Sequence, residues 1–219
     1  MTLRACLAAI GVAVLLSACG STPPTPDWQM NAKTSLERAS EAYLVGNNRV
    51  AAAEFARARS DLAPTGRADL VARAELTRCA VRVASLEFDD CAGFVALAAD
   101  AAPAERAYAA YLDGKATAQD AALLPEPHRG LMAPAVSASA VGGIADPMAR
   151  LVAAGVLLRS GRADPALFAV AADTASAQGW SRPLLAWLGV QVKRAEAAGE
   201  AGEVARLKRR MELIAPRSP

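Results

Sequence analysis

The chain has 219 residues, with 24 Lys and Arg against 22 Asp and Glu, a formal net charge of +2. That near-neutrality excludes the strong basic excess of a nucleic-acid binder. Hydrophobic residues make up 53% and aromatics 5%; alanine, the best helix former, dominates, and runs of β-branched residues bounded by turns are missing, so the expected fold class is all-α, built of antiparallel helix pairs.

Arg4 is followed by an apolar run, residues 5–16, then Ser17, Ala18 and Cys19. A positive start, an apolar stretch of about a dozen residues and small residues at its end have the form of a secretory signal, too short to span a bilayer. Leu16-Ser17-Ala18-Cys19 resembles the bacterial lipoprotein signal, the lipobox. The resemblance implies cleavage before Cys19, a diacylglycerol on its thiol and acylation of the new amino terminus. Gly20 stands where an Asp would direct inner-membrane retention, so the resemblance implies an outer-membrane anchor facing the periplasm. The expected divisions are residues 1–18, the signal; 19–27, a lipidated Cys and Pro-rich tether; 28–123, an N-terminal helical half; 124–146, a Pro/Gly-rich loop; and 147–216, a C-terminal helical half. Without Arg4 the balance is 23 basic to 22 acidic residues.

The tether carries three prolines in Ser21–Asp27 and favours extended backbone. A first helix is expected over 28–45, with Leu36, Ala39 and Tyr43 on one face. Gly46-Asn47-Asn48 turns into a second helix with Ala51, Phe55, Ala58 and Leu62 in register, ended by Pro64 and Gly66. A third carries Leu70, Ala74, Thr77, Val81 and Ala84. Pro103, Pro147 and Pro165 suit first helical turns, with Asp146 and Asp164 as caps, and Gly161 and Gly179 suit the positions just past helix ends. The last helix is expected over 200–214, with Val204, Leu207, Met211 and Ile214 inward.

Ala39, Gly46 and Ala51 are spaced by seven and five, as are Ala154, Gly161 and Ala166. With Phe55, Ala58 and Pro64 following in the first unit, residues 32–65 resemble a tetratricopeptide repeat; later units depart at Gln119, Val170, Asp173 and Lys208. The resemblance implies a degenerate helical-repeat body, an α-solenoid or irregular bundle. Residues 124–145 break the pattern with three prolines and Gly142-Gly143, as a plain linker or a functional loop.

Cys79 and Cys91 form an even pair in a compartment that permits disulfides, either bridged or separately buried; a bridge closing about 13 residues would contribute about 3 kcal/mol. Catalytic signals are weak. His128 is the sole histidine and no nucleophile elbow, zinc motif or phosphate loop occurs. Asp89, Asp90 and Glu87 read as a turn more readily than as a glycan-cleaving pair. The cluster Arg206, Lys208, Arg209 and Arg210 reads as a solvated helix face or a contact for lipid headgroups or an acidic partner. The chain is therefore expected to be no enzyme and to need no metal or cofactor.

The functional expectation is a periplasmic scaffold binding an envelope protein or peptide on a concave helical surface, with Arg129 and Trp180 as candidate contacts. The alternatives are a carrier of an apolar ligand in a cavity lined by Leu131, Met132 and Leu157, or a cell-wall glycan enzyme.

Overall fold

The computed structural model describes residues 25–214; Cys19, the signal and most of the tether lie outside them. The fold is all-α, and no strand occurs among the described residues. The first two helices of the described residues, α1 (Asp27–Leu44) and α2 (Asn48–Leu62), form a hairpin. Asn47 caps α2, its side chain accepting from the Val50 N–H at 3.2 Å. Ala39 and Ala58 are fully buried and Ala51 nearly so. Methyl-sized side chains at these positions let the two axes approach.

α3 (Ala68–Ala84) is packed by α1, α2 and two later helices that begin at Pro103 and Pro147. It leads through the Cys79–Cys91 disulfide, with Cα atoms 5.8 Å apart, to the short α4 (Ala92–Val95). α5 (Pro103–Leu112) starts on its proline as expected. Single turns α6 (Glu126–Arg129) and α7 (Ala138–Gly142) follow. The C-terminal part stacks α8 (Pro147–Arg159), α9 (Ala166–Gln178), α10 (Ser181–Ala197) and α11 (Ala201–Ile214), each on the one before. Asp146 caps α8, accepting from the Ala149 N–H at 2.7 Å. Gly161 and Gly179 take the left-handed φ that ends the preceding helices, at +68° and +70°.

The two halves of the sequence share one core. A single buried cluster runs from Ala42 to Leu207, and a smaller one joins Ala32, Leu62, Val71 and Ala74. α8 is buried over most of its circumference, Leu151 to Leu157 without a break. It crosses α3 at Gly155. A Cβ there would stand 3.0 Å from the Val83 carbonyl carbon and closer still to its oxygen. Gly189 in α10 has nothing within 4 Å of the same position. The two glycines therefore predict opposite signs for one chemical change. Gly155→Ala forces two helix backbones apart and should lose about 2 kcal/mol, overpacking outweighing the gain in helix propensity. Gly189→Ala should gain about 0.5–1 kcal/mol. Urea unfolding of both variants checks the pair; equal effects would mean that α3 and α8 do not meet so closely.

Residues 124–146 contain no long helix, as their prolines require, but they are folded rather than loose. Leu124, His128, Leu131, Val141 and Ile144 are buried anchors. Arginines satisfy the carbonyls that irregular backbone leaves open. Arg129 donates to Leu124 O at 2.9 Å, Arg162 to Leu131 O at 3.1 Å, and Arg150 to Ile144 O at 2.6 and 3.0 Å.

Candidate functional site: a groove between α1 and α3

α1 and α3 lie side by side with small or aliphatic residues facing each other, and the space left between them is a groove of about 690 Å³. Its floor is Ala32, Leu36, Leu44, Leu70 and Ala74. Trp28, three residues from the start of the described chain, stands in its wall at one point; Met148 of α8 and Trp180, just before α10, contribute from the C-terminal part.

The charges on the rim are mostly spent on one another. Lys33 pairs with Glu37 at 3.2 Å, Arg67 with Asp69 at 2.6 Å, and Arg73 with Glu105 at 2.7 Å. The Arg67 guanidinium holds the Asp69 carboxyl below its ordinary range. Glu41 accepts the Trp180 indole N–H at 2.8 Å. Such a surface offers apolar contact with a polar border, the composition of a site that takes a segment by its apolar side chains.

Of the residues singled out from sequence, Trp180 belongs to this groove. It is 8% exposed, and its N–H is engaged, so it acts as a wall and as a fastener between α10 and α1. Arg129 sits elsewhere, exposed on α6 beside a smaller cleft. The structure therefore does not bring the two together. Cys79 and Cys91 are bridged, as one of the two readings had it. Cys19 lies outside the described residues.

Three of the weak catalytic candidates, His128, Asp89 and Glu87, have structural partners. His128 is 2% exposed and shares a 3.1 Å hydrogen bond with the Tyr111 hydroxyl through Nδ1. Its ring also stacks near Tyr108. Burial pushes its pKa down to about 4, with Asp146 opposing weakly. Asp89 caps the turn, accepting from the Cys91 N–H at 3.1 Å and pairing with Arg82 at 2.8 Å. Glu87 pairs with Arg182 at 3.1 Å. Lys208 and Arg206 are tied to Glu196 and Glu203. No group of three or more His, Cys, Asp or Glu positioned for a metal occurs among the described residues. Leu131 and Leu157, expected to line a ligand cavity, are packed in the core.

Sequence reasoning missed Arg73, Glu105 and Arg182. Their partners lie 32 to 139 residues away, and nothing local marks an arginine as a fastener. No family model, curated protein or solved structure matches this chain.

Proposed function

We propose that the chain is a bacterial lipoprotein, held on the periplasmic face of the outer membrane through Cys19, whose helical body is a non-enzymatic scaffold for an envelope protein or peptide. The anchor rests on the Leu16-Ser17-Ala18-Cys19 motif. The tetratricopeptide-like reading of the body rests on the α1–α2 hairpin, where Ala39, Ala51 and Ala58 are the closely packed positions. Successive stacking of α8 to α11 is in keeping with it.

The observation that carries the scaffold reading is the groove between α1 and α3. It is apolar at its floor, its rim charges are internally paired, and it lies beside the end of the tether. The occupant it fits is a segment presenting apolar side chains along one edge, helical or extended. On this reading the groove, next to the tether, faces an envelope protein's juxtamembrane segment.

A photo-crosslinking amino acid at Leu70, introduced in cells, tests this. One envelope protein should be captured from the outer-membrane fraction, and Leu36→Asp should cut the yield by roughly tenfold or more. Cys19→Ser should move the scaffold out of the membrane fraction. Capture of lipid alone, or a yield indifferent to Leu36→Asp, would remove the groove from the function.

A further inference from the structure

The Cys79–Cys91 bridge borders the core on one side and a cleft on the other. The cleft, of about 460 Å³, opens between α3, the turn before α4, and α5, and both cysteines stand in its wall. Cys79, on α3, is buried; Cys91 is partly exposed.

The backbone around the bridge is held in an uncommon form. Among the described residues two that are not glycine have positive φ, Leu86 at +60° and Cys91 at +50°. They are the two ends of the segment 86–91, which leads from α3 to α4. Leu86 stands just past the end of α3, a place that usually holds glycine. Its N–H and that of Glu87 donate back to Val83 O and Arg82 O, at 3.0 and 2.9 Å, and those bonds impose its angles. Cys91 is the odder of the two. The residue before a helix ordinarily takes extended angles, yet Cys91 has φ +50° and ψ +48°. Residues in such conformations persist only while their surroundings hold them there. At Cys91 the bridge to α3 supplies the covalent part of that hold, beside a 3.1 Å bond in which Asp89 Oδ1 accepts its N–H.

The segment is also a junction. Glu87 accepts from Arg182 of α10 at 3.1 Å, Asp89 pairs with Arg82 of α3 at 2.8 Å, and the Arg159 guanidinium of α8 lies 5.4 Å from the centre of the Phe88 ring. Opening the bridge lets Cys91 regain ordinary backbone angles, and the segment that then moves carries the Glu87 side of the Arg182 contact.

We propose that the bridge is an exchange site for a dithiol, and that its reduction loosens the hold of Arg182 between α10 and the end of α1. A thiolate of the dithiol attacks the sulfur of Cys91, the more exposed cysteine. A bond forms between those two sulfurs, the Cys79–Cys91 bond breaks, and the Cys79 sulfur leaves and takes up a proton. The second thiolate of the dithiol attacks the dithiol's own sulfur in the mixed disulfide and releases Cys91, which is protonated in turn. Two electrons and two protons pass to the cysteine pair, and the dithiol departs as its own disulfide. Because the oxidised form holds a left-handed residue that opening releases, this bridge is reduced more readily than an unstrained one. The inference stands without the scaffold reading.

Dithiothreitol at about 10 mM and about pH 8, added to the oxidised full chain without denaturant, tests it. Maleimide labelling with mass spectrometry should find Cys79 and Cys91 both as thiols while the helical circular dichroism is kept. Hydrogen exchange should rise roughly tenfold or more in the segment 86–91 and in the first turn of α10. Losing a cross-link lowers stability through loop entropy alone, and Arg182→Ala separates that effect from the proposed one. Reduction should lower the thermal midpoint less in Arg182→Ala than in the parent, by roughly 3 °C or more, because the contact to be loosened is already gone. Glu87→Ala removes the same contact from the partly exposed segment, and its midpoint should behave likewise should Arg182→Ala not fold. A bridge that opens only in urea would overturn the assignment. So would loss of the helical signal on reduction, or equal falls in midpoint for the parent and the folded variants.

Discussion

Arg182→Ala is expected to lose about 4 kcal/mol of stability. Arg182 stands at the first turn of α10 and reaches across 139 residues of sequence to the end of α1. Its Nε donates to Tyr43 O at 2.7 Å, one terminal nitrogen meets Glu87 Oε1 at 3.1 Å, and the other meets Asn48 Oδ1. The guanidinium carbon lies 4.2 Å from the centre of the Tyr43 ring. Each of these is modest alone. Together they occupy every edge and one face of the fork, and its side chain is only 21% exposed, so screening by water is partial. Removing it leaves the Tyr43 carbonyl with the Gly46 N–H alone, at 3.0 Å, and Glu87 with Arg82 at 3.5 Å.

The neighbours sharpen the expectation. Ser181 Oγ donates to Val45 O at 3.1 Å and Trp180 Nε1 to Glu41. Three consecutive side chains therefore fasten the C-terminal stack to the N-terminal hairpin. With Arg182 gone, the thermal midpoint should fall by roughly 10 °C. Arg182→Lys keeps the charge but cannot fork or lie flat on the ring, so it should recover little. Hydrogen exchange should rise first in the last turn of α1. A variant within about 1 kcal/mol of the parent would mean that the two halves are joined by the α3–α8 core alone.

What the sequence made legible is the local part of the structure. Helix ends at Asn47, Pro103, Asp146, Gly161 and Gly179 follow from caps and φ preferences that a residue carries with it. α1, α2 and α11 show their inner faces because their other faces are charged. α8 does not, because it is apolar nearly all round, and periodicity has nothing to contrast. The segment 124–146 reads as a loop because its prolines and Gly142-Gly143 break any long helix; the further donors that hold it come from Arg150 and Arg162, beyond its end. The groove is similarly hidden. α1 and α3 supply its walls with a whole helix between them in the chain, and Trp180 arrives from the far side of the core. Spacing within one helix says which residues share a face, but says nothing of which helix that face meets.

The same hidden packing makes His128 the residue by which acid should weaken the fold. Its pKa in the folded chain is about 4, against an ordinary value of 6.5. The cause is burial beside Tyr108 and Tyr111, two hydroxyls that burial itself keeps protonated, with Asp146 the one nearby anion. Protonation would put an N–H on both ring nitrogens and give a buried cation one neutral hydroxyl to bond. The folded form therefore holds fewer protons than the unfolded form between pH 6.5 and 4. Stability is complete above the unfolded value and declines as pH falls through this window, by about 2 kcal/mol at pH 5 and about 3 kcal/mol near pH 4. Carboxylates that are ion-paired in the fold add to the loss at the acid end. A His128→Asn variant, which cannot titrate, carries that same carboxylate contribution, so the difference in urea stability between the two chains isolates the imidazole. That difference should shrink on acidification from pH 7 to pH 4.5, and the parent should take up close to one extra proton on unfolding near pH 5. Parallel pH profiles for the two chains would place the His128 ring in water rather than in the Tyr108–Tyr111 stack.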